Sequence, residues 1–149
     1  MTSKNPLSAN ASISKQLLQN SEIGQLNRMQ LAARAAIVDG SDVLVVAPTG
    51  SGKTEAALFP VLESLGMVDG QGLRAIYVTP LRALNRDMVG RIQRLVSRTK
   101  LTVAVRHGDT SQSERRKQAA TPPDLLITTP ETLQAILPGK VMQRHLRNV

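Results

Sequence analysis

Cysteine and tryptophan are absent from the 149 residues, and Phe59 and Tyr77 are the only aromatics. Without cysteine there are no disulfides and no thiolate-built zinc sites. That composition fits a reducing cytoplasm. With two aromatic rings, an array that stacks successive bases is not expected. Long apolar runs are missing too. The longest, such as Val43 to Pro48, fall far short of the roughly 20 residues that span a bilayer, so no membrane partner is expected. No basic start leads into an apolar stretch near Met1, and no signal peptide is expected there. What is present suffices for one domain: hydrophobic residues make up 41%, enough to sustain a buried core.

Acidic residues are scarce in one half only. Residues 1–73 hold five basic and six acidic side chains, net −1, while residues 74–149 hold fourteen and five, net +9, which together give the +8 of the whole chain. A basic half suits a polyanion, either nucleic acid or anionic lipid, although an Arg-rich solvated surface has the same composition. With so few rings, contacts to backbone phosphate are the natural mode for a nucleic acid.

Along the chain, helix-like and strand-like segments alternate after a Ser/Asn-rich start, residues 1–12, expected to be loose. Leu31, Ala32, Ala35, Ala36 and Val38 suggest a helix that stops at Asp39-Gly40. Val43 to Val46 reads as a strand buried on both faces. A helix is expected from about Gly52 to Leu65, kinked by Pro60. Residues 73–78 read as a second buried strand. Leu81, Leu84, Met88, Ile92 and Leu95 recur at helical spacing. Leu101 to Val105 is a third strand, 111–120 a polar helix, Leu125 to Ile127 a fourth strand, and Pro130 opens a helix through about Leu137. Buried strands alternating with helices indicate an α/β protein with a parallel sheet.

The chemistry concentrates in Ala47-Pro48-Thr49-Gly50-Ser51-Gly52-Lys53-Thr54. This follows the phosphate-loop pattern G-x-x-x-x-G-K-[ST], with Ala47 in place of the leading glycine. Gly50 and Gly52 let the backbone turn its N–H groups toward phosphate oxygens, and the helix that follows adds its positive end. Lys53 can reach the β- and γ-phosphates, and the Thr54 hydroxyl can hold Mg²⁺.

The A-x-T-G-x-G-K-T form resembles that of superfamily-2 helicases. The chain is similar to the start of their first RecA-like domain over about residues 26–149, in particular to the large helicase-related (Lhr) group, and more distantly to DEAD-box helicases. Leu26 to Gln30 resembles the Q motif, with Gln30 ten residues before Gly40. The resemblance implies that Gln30 reads the N6 and N7 edge of adenine and selects ATP, while Thr49, Gly50, Ser51, Gly52, Lys53 and Thr54 hold its phosphates and Mg²⁺. The aromatic that stacks on adenine in DEAD-box proteins, seventeen residues upstream of the Gln, is Ile13 here, so stacking of that kind is not expected. Thr79-Pro80-Leu81-Arg82-Ala83-Leu84 resembles motif Ia, Arg106 to Thr110 the glycine-containing loop, and Thr128-Thr129-Pro130-Glu131 motif Ib. Through these, Pro80, Arg82, Gly108, Thr129 and Pro130 are implied to meet the backbone of single-stranded DNA or RNA. All three follow strand C-termini, the edge of a parallel sheet where ligands bind. Arg86, Arg94 and Arg98 read as a solvated helix face, and Arg115, Arg116 and Lys117 as a charge cluster.

Hydrolysis also needs a second acidic motif, D-E-x-[HD]. No Asp-Glu pair occurs, and the last acidic residue is Glu131. Residues 13–149 are therefore expected to form the N-terminal part of a helicase ATP-binding domain, with Leu146 to Val149 approaching the next strand. Little ATPase activity is expected of the chain alone. The absent strand belongs inside the sheet, so exposed apolar surface, marginal stability or a complementing chain is expected. Two other readings stay open: a non-catalytic nucleotide- or nucleic-acid-binding module or gene remnant, and a P-loop kinase or small-molecule ATPase.

Overall fold

The computed structural model describes residues 14–21, 24–68, 70–81 and 86–149. Segment 1–12, Ile13 and the Arg82–Leu84 part of the motif Ia resemblance lie outside the described residues. The chain divides into two compact units after Val68.

In the first unit, residues 14–20 are helical (α1) and bury Leu17 completely. Helix α2 (Arg28–Val38) starts where Asn27 and Gln30 cap each other. The Asn27 Oδ1 accepts from the Gln30 N–H at 2.9 Å, and the Gln30 Oε1 accepts from the Asn27 N–H at 2.9 Å. Two helix-start donors are thereby satisfied at once. The helix ends at Asp39, and Gly40 takes the left-handed φ of 82° that a helix stop favours. Helix α3 (Lys53–Met67) runs unbroken through Pro60 and buries Leu58, Leu62 and Leu65, spaced to share one face. Helices α2 and α3 pack together and are tied by a forked ion pair, with Arg34 Nε and Nη2 each donating to the Glu63 carboxylate at 2.7 Å. Ser14 of α1 donates to the same carboxylate. Burial pushes the Glu63 carboxyl up. The bonds from Arg34 and Ser14, with the charge of Arg34, outweigh that and hold it below its ordinary value.

Val43 to Val46 corrects the expectation of a buried strand. The segment joins no ladder among the described residues, and Leu44 and Val46 are 89% and 84% exposed. Its β-branched composition states a preference for burial. A strand also requires a neighbour for its N–H and C=O groups, and the described ladders link only the three strands of the second unit.

That second unit is a parallel sheet with helices. In chain order it comprises β1 (Ala75–Val78), α4 (Arg86–Val96), β2 (Val103–Arg106), α5 (Gln112–Ala120), β3 (Leu125–Thr128), α6 (Pro130–Ile136) and α7 (Lys140–Leu146). The strand order is β1-β3-β2. Central β3 is wholly buried, as its Leu-Leu-Ile run demands. The edge strand β1 is only half-buried, with Val78 exposed, so the expectation of a second fully buried strand does not hold. An edge strand has a neighbour on one side only. Leu126 packs in a core with Leu73, Ile136 and Met142, extended by Ile76, Ala104, Ala119 and Leu146. In α4, Ile92, Leu95 and Val96 are buried at helical spacing. Leu81, expected on that helix face, instead sits in a turn and is exposed. The last helix, α7, was not anticipated, and residues 147–149 follow it in a turn with hydrogen bonds to the carbonyls of His145 and Leu146.

One carboxylate pins the three strands at their N-terminal ends. Asp124 Oδ1 accepts from Arg74 Nε at 3.0 Å and Nη2 at 2.6 Å. Its Oδ2 accepts from the Thr102 N–H and hydroxyl, both at 2.8 Å. Arg74 precedes β1, Thr102 precedes β2 and Asp124 precedes β3. Burial raises the Asp124 carboxyl, but the bonds from Thr102 and Arg74, with the Arg74 charge, bring it below its ordinary value.

Candidate functional site

In the first unit the glycine loop leads directly into α3. Gly50 and Gly52 have φ of 81° and 86°, in the left-handed region open mainly to glycine. No side chain caps α3, so its first N–H groups carry the unsatisfied dipole end that draws anions. A Cβ at Gly52 would also collide with Gln30 Nε2, so that amide would have to shift.

The reason is that α2 holds the loop. Gln30 Nε2 donates to the Gly52 carbonyl at 3.2 Å, and Asn27 Nδ2 donates to the Ser51 carbonyl at 3.1 Å. Gln30 is 4% exposed, so its amide is a bridge between the α2 cap and the loop. Asn27 was not singled out from the sequence. Its signal was the Asn-x-x-Gln spacing of a capping box. Lys53 Nζ donates to the carbonyls of Ala47 and Pro48, both at 2.7 Å, so its ammonium is drawn across the loop. The Ser51 Oγ is shut off from water with no hydrogen-bond partner. Thr49 and Gly50 are exposed, and Thr54 is half-buried at the first turn of α3. Left-handed glycines, an uncapped helix start, a lysine over the loop and an orphaned hydroxyl fit a polyphosphate. The same unit holds a cavity of about 430 Å³, lined by Leu18, Leu26, Leu31 and Phe59, with Arg34 and Glu63 in its wall and no residue of the glycine loop.

In the second unit the register aligns Val78, Thr128 and Arg106 across the sheet. Thr79-Pro80, Thr129-Pro130 and His107-Gly108 therefore leave the same edge side by side, as the sequence implied. The Thr79 N–H donates to the Thr128 carbonyl at 3.0 Å, and the Thr128 hydroxyl donates to the Arg106 carbonyl at 2.8 Å. Pro80 and Pro130 are exposed. Thr129 is 3% exposed, and its hydroxyl caps α6 by accepting from the Thr132 N–H at 3.3 Å. A Cβ at Gly108 would meet nothing within 4 Å, so the fold itself does not require glycine there. Arg82 lies outside the described residues.

Arg115 turns out to build the loop after β2. Its Nε donates to the Thr110 carbonyl at 2.8 Å and its Nη2 to the Gly108 carbonyl at 2.6 Å. Helix α5 starts with a Ser111–Glu114 capping box, whose spacing was also present in the sequence. Among the described residues no group of His, Cys, Asp or Glu could hold a metal, and no helix is long and apolar enough to cross a membrane.

Known proteins are similar to this chain in sequence and fold. The DEAD/DEAH box helicase family matches residues 27–149. An Lhr helicase and probable uracil glycosylase of Mycolicibacterium smegmatis is 42% identical over 123 residues, covering 72% of this chain and 8% of the relative. The ATP-dependent helicase Lhr-Core of Methanothermobacter thermautotrophicus is 35% identical, covering 79% of this chain and 16% of the relative. Among solved structures, Mycobacterium smegmatis helicase Lhr bound to ssDNA and AMP-PNP superposes with a TM-score of 0.73 at 35% identity, over 98% of this chain and 20% of that one. The helicase MrfA bound to DNA gives a TM-score of 0.76 at 29% identity, over 95% and 20%. The chain thus spans less than a fifth of the two curated relatives. With its glycine loop tied to the Asn27–Gln30 cap and its parallel strands presenting three loops on one edge, this chain belongs to the DEAD/DEAH box helicase family.

Proposed function

We propose that the chain is the ATP- and nucleic-acid-binding N-terminal part of an ATP-dependent helicase motor core. The observation that carries this reading is the pair of bonds from Asn27 and Gln30 onto the glycine loop. They couple a base-reading amide to a phosphate cradle. After its two bonds Gln30 retains one Nε2 hydrogen and one Oε1 lone pair, the donor and acceptor that adenine N7 and N6 call for. Gly50, Ser51 and Gly52 turn amides toward the β- and γ-phosphates, and Lys53 exchanges the carbonyls of Ala47 and Pro48 for phosphate oxygens. The Thr54 hydroxyl would hold Mg²⁺, which when bound would neutralise phosphate charge. Pro80, Arg82, Gly108, Thr129 and Pro130 contribute to the surface that meets a nucleic-acid strand through its backbone. In a full motor, closure and reopening of two RecA-like domains would step the strand along. This chain alone hydrolyses ATP little, since no Asp-Glu pair is available to position water.

The test is a titration with a fluorescent ATP analogue and Mg²⁺, with and without a single-stranded oligonucleotide. Saturable binding that is lost in Lys53→Ala supports the proposal. Equal binding by the variant refutes the assignment of the loop, and turnover abolished by Lys53→Ala refutes the expectation of little hydrolysis.

A further inference from the structure

Arg106 closes β2 at the edge where the three loops emerge, and among the described residues its charge has no counterpart. Its Nη1 is shut off from water and has no hydrogen-bond partner. Among the described residues no carboxylate pairs with it. It lies on the sheet face of Ala104, two residues before it, and Ala104 packs against the same core as Ala119 of α5. Burial, and then the nearby charge of Arg115, hold the Arg106 guanidinium below its ordinary value. Arg115 offers no relief, since it is itself a cation engaged with the carbonyls of Gly108 and Thr110. Two neighbouring guanidiniums without an acid, one partly buried, are costly unless an anion joins them. The adjoining turn at Gly108 is exposed, with open space where a Cβ would stand.

We propose that Arg106 is a phosphate-binding residue of the strand-binding edge, its guanidinium taking a backbone phosphate of single-stranded nucleic acid beside the Gly108 turn that Arg115 holds in shape. This deepens the nucleic-acid reading above and rests on it. A guanidinium fork matches two phosphate oxygens, and the bare glycine lets the strand approach. The rival assignment is internal. The Gln118 Oε1 is also buried without a partner, while its Nε2 donates to the Val105 carbonyl at 2.9 Å. If Arg106 serves Gln118, it is a structural residue.

The two assignments differ in sign. Anisotropy of a fluorescein-labelled oligo-dT is measured on the full chain across a salt series, well below the melting temperature of every variant. Arg106→Gln is expected to weaken binding roughly 10- to 100-fold at low salt. The slope of log affinity against log salt falls by about 0.7, the counterion release of one single-strand phosphate. Its melting temperature stays equal or rises, because an uncompensated cation has gone. Arg106→Lys recovers the salt slope and part of the affinity. Arg98→Gln removes the same charge from an exposed position preceding β2 and stays within about twofold of wild type. Wild-type affinity in Arg106→Gln overturns the proposal, and with a lowered melting temperature it assigns the residue to Gln118. Inorganic phosphate that raises the melting temperature of the wild type but not of Arg106→Gln, with unchanged oligonucleotide affinity, points to a free anion and also overturns it. A wild type that binds no oligonucleotide fails the underlying nucleic-acid reading itself.

Discussion

Replacing Asp124 by alanine should cost the sheet unit about 3–5 kcal/mol, the usual penalty for removing one partner of a buried ion pair. The geometry places it in that class. The side chains of Asp124 and Arg74 are 10% and 15% exposed, and the carboxylate accepts four hydrogen bonds. Alanine takes the Asp124 charge away from the Arg74 guanidinium and the acceptor away from the Thr102 N–H and hydroxyl, at the N-terminal ends of all three strands. Against a typical domain stability of roughly 5–15 kcal/mol, that is a large share. Tyr77, the only tyrosine, lies in β1 and gives an intrinsic probe of this unit without labelling. Urea unfolding followed by Tyr77 fluorescence should show a midpoint shifted strongly downward. Asp124→Asn, which can still accept from Thr102, should fall between alanine and wild type. The pH dependence has a definite sign. The carboxyl is held below its ordinary value in the fold, so its contribution is complete above the unfolded pKa of about 3.9 and is lost as pH falls through the folded value. Asp124→Asn should lack that acid limb. An alanine variant within about 0.5 kcal/mol of wild type would show that the four bonds do not hold the strands.

Gly52→Ala should lose ATP-analogue binding by at least about tenfold, because a left-handed φ and a collision with Gln30 Nε2 both displace the loop; far-UV circular dichroism should show the helices retained. Asn27→Ala removes both the α2 cap and the Ser51 tether, so it should cost roughly 1–2 kcal/mol of stability and weaken analogue binding as well, read by denaturation and titration in parallel. Glu63→Gln should flatten the acid limb of first-unit stability below about pH 4, since the native carboxylate is favoured by Arg34 and Ser14 and that contribution is lost on protonation; an unchanged limb by acid-unfolding circular dichroism would exclude it.

The parts of the site written in backbone constraints were legible beforehand. Gly50 and Gly52 needed left-handed φ, and Pro130 at a helix start marked the end of β3, so the loop and that strand could be read directly from residue types. Features that depend on a partner were not. Val43 to Val46 has the composition of an inner strand, but composition cannot name the neighbour that supplies its ladder. The half-burial of β1 likewise follows from its place at the sheet edge, which emerged only with the strand order. Helix α7 buries a single residue, Met142, too weak an apolar stripe to stand out in sequence. The Arg74–Asp124 and Arg34–Glu63 pairs span 50 and 29 residues, and no local pattern joins such positions. Arg115 was visible only as charge, while its role lies in three carbonyls of the loop before it.

The shared amide of Gln30 places two properties under one residue. Its oxygen fastens the beginning of α2, and its nitrogen fastens the loop at Gly52. Glutamate in its place would preserve the first attachment and set oxygen against oxygen at the second. On the proposed ATP-binding reading, nucleobase preference could therefore not drift independently, because any exchange of Gln30 would also renegotiate the anchoring of the glycine loop.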